Sequence, residues 1–224
     1  MSDPTKIGEE HPDGYLLRGE PLAGFIGGSF VAATFLAWFG RDAKESELAI
    51  FEACLIASLD HGAEPPSAQA ARLAAGAGKP LAQSVAAGIG VLDTKHGNAG
   101  GACAKWLREH LGQDAKELVE AELRAGNRLL GFGHRIYERD PRTIALHRVA
   151  KEQAIDLPHF AFGFEVAEAL SVAKGKTMPM NVDGAIGALC ADVDWPDEIA
   201  DALFILGRTG GLIAHAREAA VKSI

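Results

Sequence analysis

The segment Gly131-Phe132-Gly133-His134-Arg135-Ile136-Tyr137-Glu138-Arg139-Asp140-Pro141-Arg142 sets a histidine in a backbone-permissive turn, a few residues ahead of an arginine. The glycines flanking Phe132 let the backbone approach a ligand closely or adopt positive φ. Pro141 suits the first position of a helix that Arg142 to Val149 would extend, so His134 is expected beside a helix N-terminus. The partial positive charge there, added to Arg142, favours a bound carboxylate and disfavours a protonated imidazole. These residue types therefore point to an anionic substrate held next to an imidazole. Gly-X-Gly-His is a short pattern, and by itself a loop histidine bonded to backbone accounts for it as well.

Four other segments accompany it: Asp60-His61-Gly62, Lys95-His96-Gly97-Asn98-Ala99, Met180-Asn181-Val182-Asp183-Gly184 and Gly207-Arg208-Thr209-Gly210-Gly211. Each has a plain structural alternative. His61 could cap helix carbonyls, Asp183 could N-cap a helix running through Leu189, and Arg208 could pair with Glu218 or an interface acid. His96 could be a loop histidine, and Arg142 an exposed residue of a first helical turn. Taken together, in this order and spacing, the five segments resemble the citrate synthase and citryl-CoA lyase superfamily. The resemblance runs from about Gly14 to about Glu218. It is closest to the short citryl-CoA lyase-like members and to the C-terminal lyase domain of ATP-citrate lyase.

The resemblance implies a catalytic set of His96, His134 and Asp183. Making or breaking a carbon–carbon bond next to a thioester needs a base for the α-proton, a donor to the enolate oxygen and a donor to the carbonyl under attack. In synthesis Asp183 would take the acetyl-CoA methyl proton, His96 would donate to the thioester oxygen, and His134 would donate to the oxaloacetate carbonyl. In cleavage His134 would accept the hydroxyl proton of citryl-CoA, and Asp183 would protonate the resulting enol. His61, Arg142 and Arg208 match positions that bind the oxaloacetate or citrate carboxylates, a task suited to the arginine fork. Leu129, Leu130, Gly131, Phe132 and Gly133 resemble the loop that recognises the adenine of coenzyme A. Coenzyme A enters as a substrate thioester, with no tightly bound cofactor expected.

These residues need elements to hold them. Glu45 to Leu59 carries apolar residues at helical spacing and is followed by His61-Gly62. Pro66 opens an Ala-rich helix through Ala75, and Leu81 to Val91 reads as another. Asp114–Ala125, Arg142–Ala154, Phe162–Ala173 and Pro196–Val221 also favour helix, while few runs carry strand alternation or hairpin chemistry. An all-α fold is expected, with closely packed helices. Leu22 to Phe39, the longest apolar stretch, reads as a core helix interrupted by glycines and not as a membrane span. Residues 1–13 read as a tail and 14–224 as one citrate synthase-like unit. The resemblance adds a smaller domain at about 112–177, with the site in the cleft beside it.

Composition narrows the partners. The 224 residues carry 30 acidic and 22 basic side chains, a formal charge of −8, with no dense basic run. Nucleic acid and anionic membranes are thus disfavoured, and an anionic substrate must rely on local cations. Cys54, Cys103 and Cys190 are odd in number and set among apolar residues, which suggests buried thiols in a reducing, cytoplasmic setting. No signal peptide is evident. No His-Glu-X-X-His or Cys-X-X-Cys occurs, so no dedicated metal site is expected. Gly-Phe-Gly-His lacks the strand and third glycine of a dinucleotide fingerprint. His215 reads as an interface or core residue near Arg208.

The resemblance has one departure. Longer citrate synthases carry a further arginine beyond the Arg208 motif that reaches the neighbouring subunit's site, whereas this sequence reaches Lys222-Ser223-Ile224 without a clear counterpart. This favours citryl-CoA lyase-type cleavage to acetyl-CoA and oxaloacetate over citrate synthase, which also hydrolyses the citryl thioester. A non-catalytic assembly subunit is the third reading, disfavoured because the acid and both histidines are intact. A homodimer or higher homo-oligomer is expected, as is a separate citryl-CoA synthetase to supply the thioester.

Overall fold

A computed structural model describes residues 6–94 and 97–221. The chain divides into two compact units, Met1–Glu52 and Ala53–Ile224.

The first unit opens with an antiparallel sheet of β1 (Gly8–His11), β2 (Gly14–Leu17) and β3 (Glu20–Pro21), in that order. His11 pairs with Gly14 across the Pro12-Asp13 turn, and Gly8 pairs with Leu17. The expected tail is therefore a paired strand from Gly8 onward. The omitted signal was Pro-Asp-Gly, a turn with a fixed proline φ followed by a glycine free to take positive φ. The expected core helix over Leu22–Phe39 is also corrected. It is a 3-10 turn at Leu22–Phe25 and a separate helix α1 (Phe30–Phe39), parted at Gly27-Gly28, and only Phe35 and Leu36 of α1 are buried. Ser29 caps α1 by accepting from the Ala32 N–H at 3.2 Å. Arg18 closes its far end, donating to the Ala37 carbonyl through Nε at 3.0 Å and Nη2 at 2.6 Å. Helix α2 (Glu45–Leu59) begins here, and the boundary between the units falls within it. Near its start Arg41 clamps the buried Glu47 carboxylate with two bonds of 2.9 and 2.6 Å.

The second unit is helical: α3 (Pro66–Gly76), α4 (Leu81–Ile89), α5 (Gly100–His110), α6 (Ala115–Arg124), α7 (Pro141–Glu152), α8 (Pro158–Lys174), α9 (Val182–Asp192) and α10 (Glu198–Val221). At its centre α9 is apolar on nearly every side, as a helix enclosed by neighbours must be. It packs against α5, α7, α8 and α10. The contact with α5 is backbone to backbone: a Cβ at Gly187 would collide with the Gly100 carbonyl oxygen. The length and apolarity of α10 alone would suit a membrane span, yet half of that stretch is buried, and the helix packs against α3, α4, α5 and α9. Cys54, Cys103 and Cys190 are free and buried, and burial pushes the first two thiols up to about 12. The sequence reading had no helix at Gly100–His110, because its two opening glycines mask the helical pattern that begins there.

Candidate active site

Asn181 builds the centre of the site. As N-cap of α9 it accepts from the Gly184 N–H through Oδ1 at 3.1 Å, which relieves Asp183 of that task. Its backbone N–H donates to the Gly131 carbonyl at 3.0 Å, and its Nδ2 donates to the Gly133 carbonyl at 3.0 Å. Gly133 returns a bond to the Pro179 carbonyl at 2.7 Å, and Phe132 bridges to Met180. The Gly131–Gly133 turn is thus zipped onto the chain entering α9. Both glycines have positive φ, 84° and 93°. A Cβ on Gly131 would also stand 2.8 Å from the Gly184 Cα, so only glycine allows this approach.

Asp183 lies in the first turn of α9 and accepts a hydrogen bond from the Gly97 N–H. Burial raises its carboxyl to about 6, Asp201 adds to the rise, and Arg142 and Arg208 oppose it. His134 receives the Ile136 and Tyr137 N–H groups on Nδ1, both at 3.0 Å. The neutral ring therefore carries its proton on Nε2 and presents it as a donor. Burial holds the imidazole below its ordinary value; Asp140 opposes this, and Arg142 and Arg135 reinforce it. Arg142 was thus rightly expected to disfavour imidazolium, with burial the larger cause.

Asp140 went unnoticed in the sequence, although an aspartate directly before a proline that opens a helix is an N-cap signal. Its carboxylate is fully buried and accepts from the Arg142 N–H at 3.0 Å, from Nε at 3.0 Å and from Nη2 at 2.7 Å. This clamp leaves Arg142 Nη1 buried with no hydrogen-bond partner among the described residues. Arg208, 1 % exposed, has all three guanidinium nitrogens in the same condition. It stacks 5.2 Å from the centre of the Phe204 ring, and its Nη1 is 3.7 Å from Asp60 Oδ1, beyond hydrogen-bonding range. Burial lowers this guanidinium to about 10. Unpartnered buried cationic donors are costly unless a ligand completes them, and a carboxylate is the matching group.

These groups surround a cleft of about 1380 Å³ lined by His61, Phe132, His134, Arg142, Asp183 and Phe204, among others. Arg208 lies behind this lining, against Phe204 and Asp60. Of the expected adenine loop, Leu129, Phe132 and Gly133 line the cleft, whereas Leu130 and Gly131 do not. Arg128, Arg135, Lys174 and Lys176 also line it, cations to which sequence reasoning assigned no role. His96 and Lys95 lie outside the described residues, as does Lys222. The neighbouring Gly97 is wedged against the Phe204 ring and donates to Asp183.

Residues 20–224 match the family described as "Citrate synthase, C-terminal domain". The chain belongs to the citrate synthase family, whose enzymes act on CoA thioesters. Its fold is similar to that of a citryl-CoA lyase from Hydrogenobacter thermophilus, with a TM-score of 0.89 and 33% identity, over 98% of this chain and 88% of that one. An ATP citrate lyase from Methanosaeta concilii, in complex with (3S)-citryl-CoA, shares the fold at a TM-score of 0.88 and 24% identity, over 97% of this chain and 39% of that one. A probable ATP-citrate synthase of Caenorhabditis elegans is 31% identical over 202 residues, which are 80% of this chain and 18% of that protein. The chain thus spans under a fifth of that relative's length.

Proposed function

We propose that this protein cleaves citryl-CoA reversibly to acetyl-CoA and oxaloacetate. One observation carries the reading: a single cleft presents a carboxyl held near neutrality and an imidazole N–H donor, with unpartnered arginine donors in and directly behind its wall. Asp183, at about 6, can give up or take a proton near neutral pH. In cleavage it protonates the enol released from the acetyl half, and in synthesis it takes the methyl proton. His134 Nε2–H polarises the oxaloacetate carbonyl in synthesis. In synthesis Nε2 passes that proton to the forming alkoxide, and in cleavage the deprotonated Nε2 takes it back from the citryl hydroxyl, while the Ile136 and Tyr137 N–H groups stay on Nδ1 and stabilise the ring in both states. His96 donates to the thioester oxygen, His61 with the two arginines holds the carboxylates, and the Leu129–Gly133 turn meets the adenine of coenzyme A.

The similar citryl-CoA lyase of H. thermophilus supports cleavage over hydrolysis. In this reading a separate synthetase supplies citryl-CoA in the cytoplasm, and a smaller domain at about 112–177 closes over the substrate in a homodimer or higher homo-oligomer. The test is to supply citryl-CoA and quantify both product pairs, alongside the reaction of acetyl-CoA with oxaloacetate. Acetyl-CoA and oxaloacetate are the expected products. Free citrate and CoA as the main products would make the protein a citrate synthase, and no product from either mixture would make it a non-catalytic homologue.

A further inference from the structure

Asp60 is a carboxylate of the wrong ownership. It lines the cleft and sits beside the very guanidinium that the proposed substrate must engage. A protein carboxylate so placed is a rival for Arg208, since it offers the same two oxygens as the substrate. Yet the rival does not close. Its Oδ1 is 2.9 Å from His215 Nε2 and 3.7 Å from Arg208 Nη1, and its Oδ2 accepts from the Gly62 N–H at 3.1 Å. Both oxygens are thus engaged elsewhere, and every nitrogen of the Arg208 guanidinium is left without a hydrogen bond among the described residues.

Helix geometry explains the placement. His215 follows Arg208 by seven residues on α10, two turns along the same face. Gly207 and Gly211 let that face sit directly on the end of α2, where a Cβ would strike the carbonyl oxygens of Leu55 and Leu59. Asp60, one residue past Leu59, is carried against both side chains. The His215 side chain is 16 % exposed, so most of it is packed within the protein.

We propose that His215 is a positioning residue which holds Asp60 off Arg208 and so keeps that guanidinium available to the substrate carboxylate. The inference rests on the carboxylate-binding reading of Arg208 given above. It makes Asp60 an internal competitor: with His215 removed, Asp60 rotates onto Arg208 and forms the bidentate pair that the substrate should form.

The test is calorimetric titration of citrate into the full-length protein, with circular dichroism to verify folding. His215→Phe should weaken citrate binding about tenfold or more, and His215→Gln, whose Nε2 can still donate to Asp60, should bind within about threefold of the parent protein. The combination of His215→Phe with Asp60→Asn should regain most of the lost affinity, because an amide does not compete for a guanidinium as a carboxylate does. A purely structural role for His215 would not give that recovery. If His215→Phe fails to fold, His215→Ala carries the same expectation. Unchanged affinity in the single variant, or a loss that Asp60→Asn does not relieve, would overturn the inference while leaving the site reading intact. Absence of citrate binding by the parent protein would overturn the carboxylate reading and this inference with it.

Discussion

Replacing Asp183 with asparagine should make the protein more stable and inactive. Burial raises this carboxyl from an ordinary 3.8 to about 6, so the folded state binds a proton that the unfolded state has released. A raised carboxyl penalises the fold: the penalty is absent below pH 3.8, grows as the pH climbs to about 6, and is fully present above it. The full separation corresponds to about 3 kcal/mol, and solvent screening on the cleft side brings the expected gain to about 1–3 kcal/mol. Asparagine keeps the size and can still accept the Gly97 N–H, but it has no charge to desolvate. In a protein of this length a gain of 1 kcal/mol raises the melting temperature by about 2–4 °C. Chemical denaturation of both proteins at pH 4 and pH 8 checks this. The variant should match the parent at pH 4 and exceed it at pH 8, with citryl-CoA turnover abolished at both. An equal difference at the two pH values, or a variant less stable at pH 8, would refute the reasoning that Asp183 is an ionised acid held at a cost.

Initial-rate pH profiles should show opposite limbs: synthesis, which needs ionised Asp183, should rise through about pH 6, while cleavage, which needs the protonated acid, should fall above it. Gly184→Ala should cost about 1–3 kcal/mol and lower kcat, because the added methyl collides with the Gly131 carbonyl oxygen and forces the His134 turn off α9; denaturation and turnover together measure this. Arg142→Lys should raise KM for citryl-CoA by roughly tenfold or more, since a point ammonium loses either the Asp140 clamp or the free Nη1 donor; steady-state kinetics tests it.

Several helices were legible from punctuating residues at their ends, although α8 opens at Pro158, four residues before the expected start at Phe162. Glu45–Leu59 was read at its observed bounds, and Pro66 and Pro141 open their helices as expected. Failures came where glycine conceals the pattern, at Gly100-Gly101, or where strands are short and exposed, at Gly8–Leu17. In the site, His134, Arg142 and Asp183 were legible because each sits in a local motif, and the structure gathers them round one cleft. Asp140 and Asp60 stand inside quoted segments without a role assigned to them, and Arg128, Lys174 and Lys176 lie outside any motif. Their roles arise from what they face across space, which a spacing pattern does not encode. The capping role considered for Asp183 belongs to Asn181, two residues earlier, which also pins the glycine turn.

The glycine contacts around α9 also limit how such an enzyme could diversify. Gly184 and Gly187 press on the carbonyl oxygens of Gly131 and Gly100, leaving no room for even a methyl group. The acid is therefore mounted on a rod that drift cannot tilt or slide without loss of the fold. The turn at Arg135–Arg139 is tied to His134 through the Ile136 and Tyr137 N–H groups, but its residues are exposed and have room for larger or different side chains. New acyl or keto-acid preferences should accumulate on that side, so the chemistry would stay heritable while the choice of substrate is free to wander.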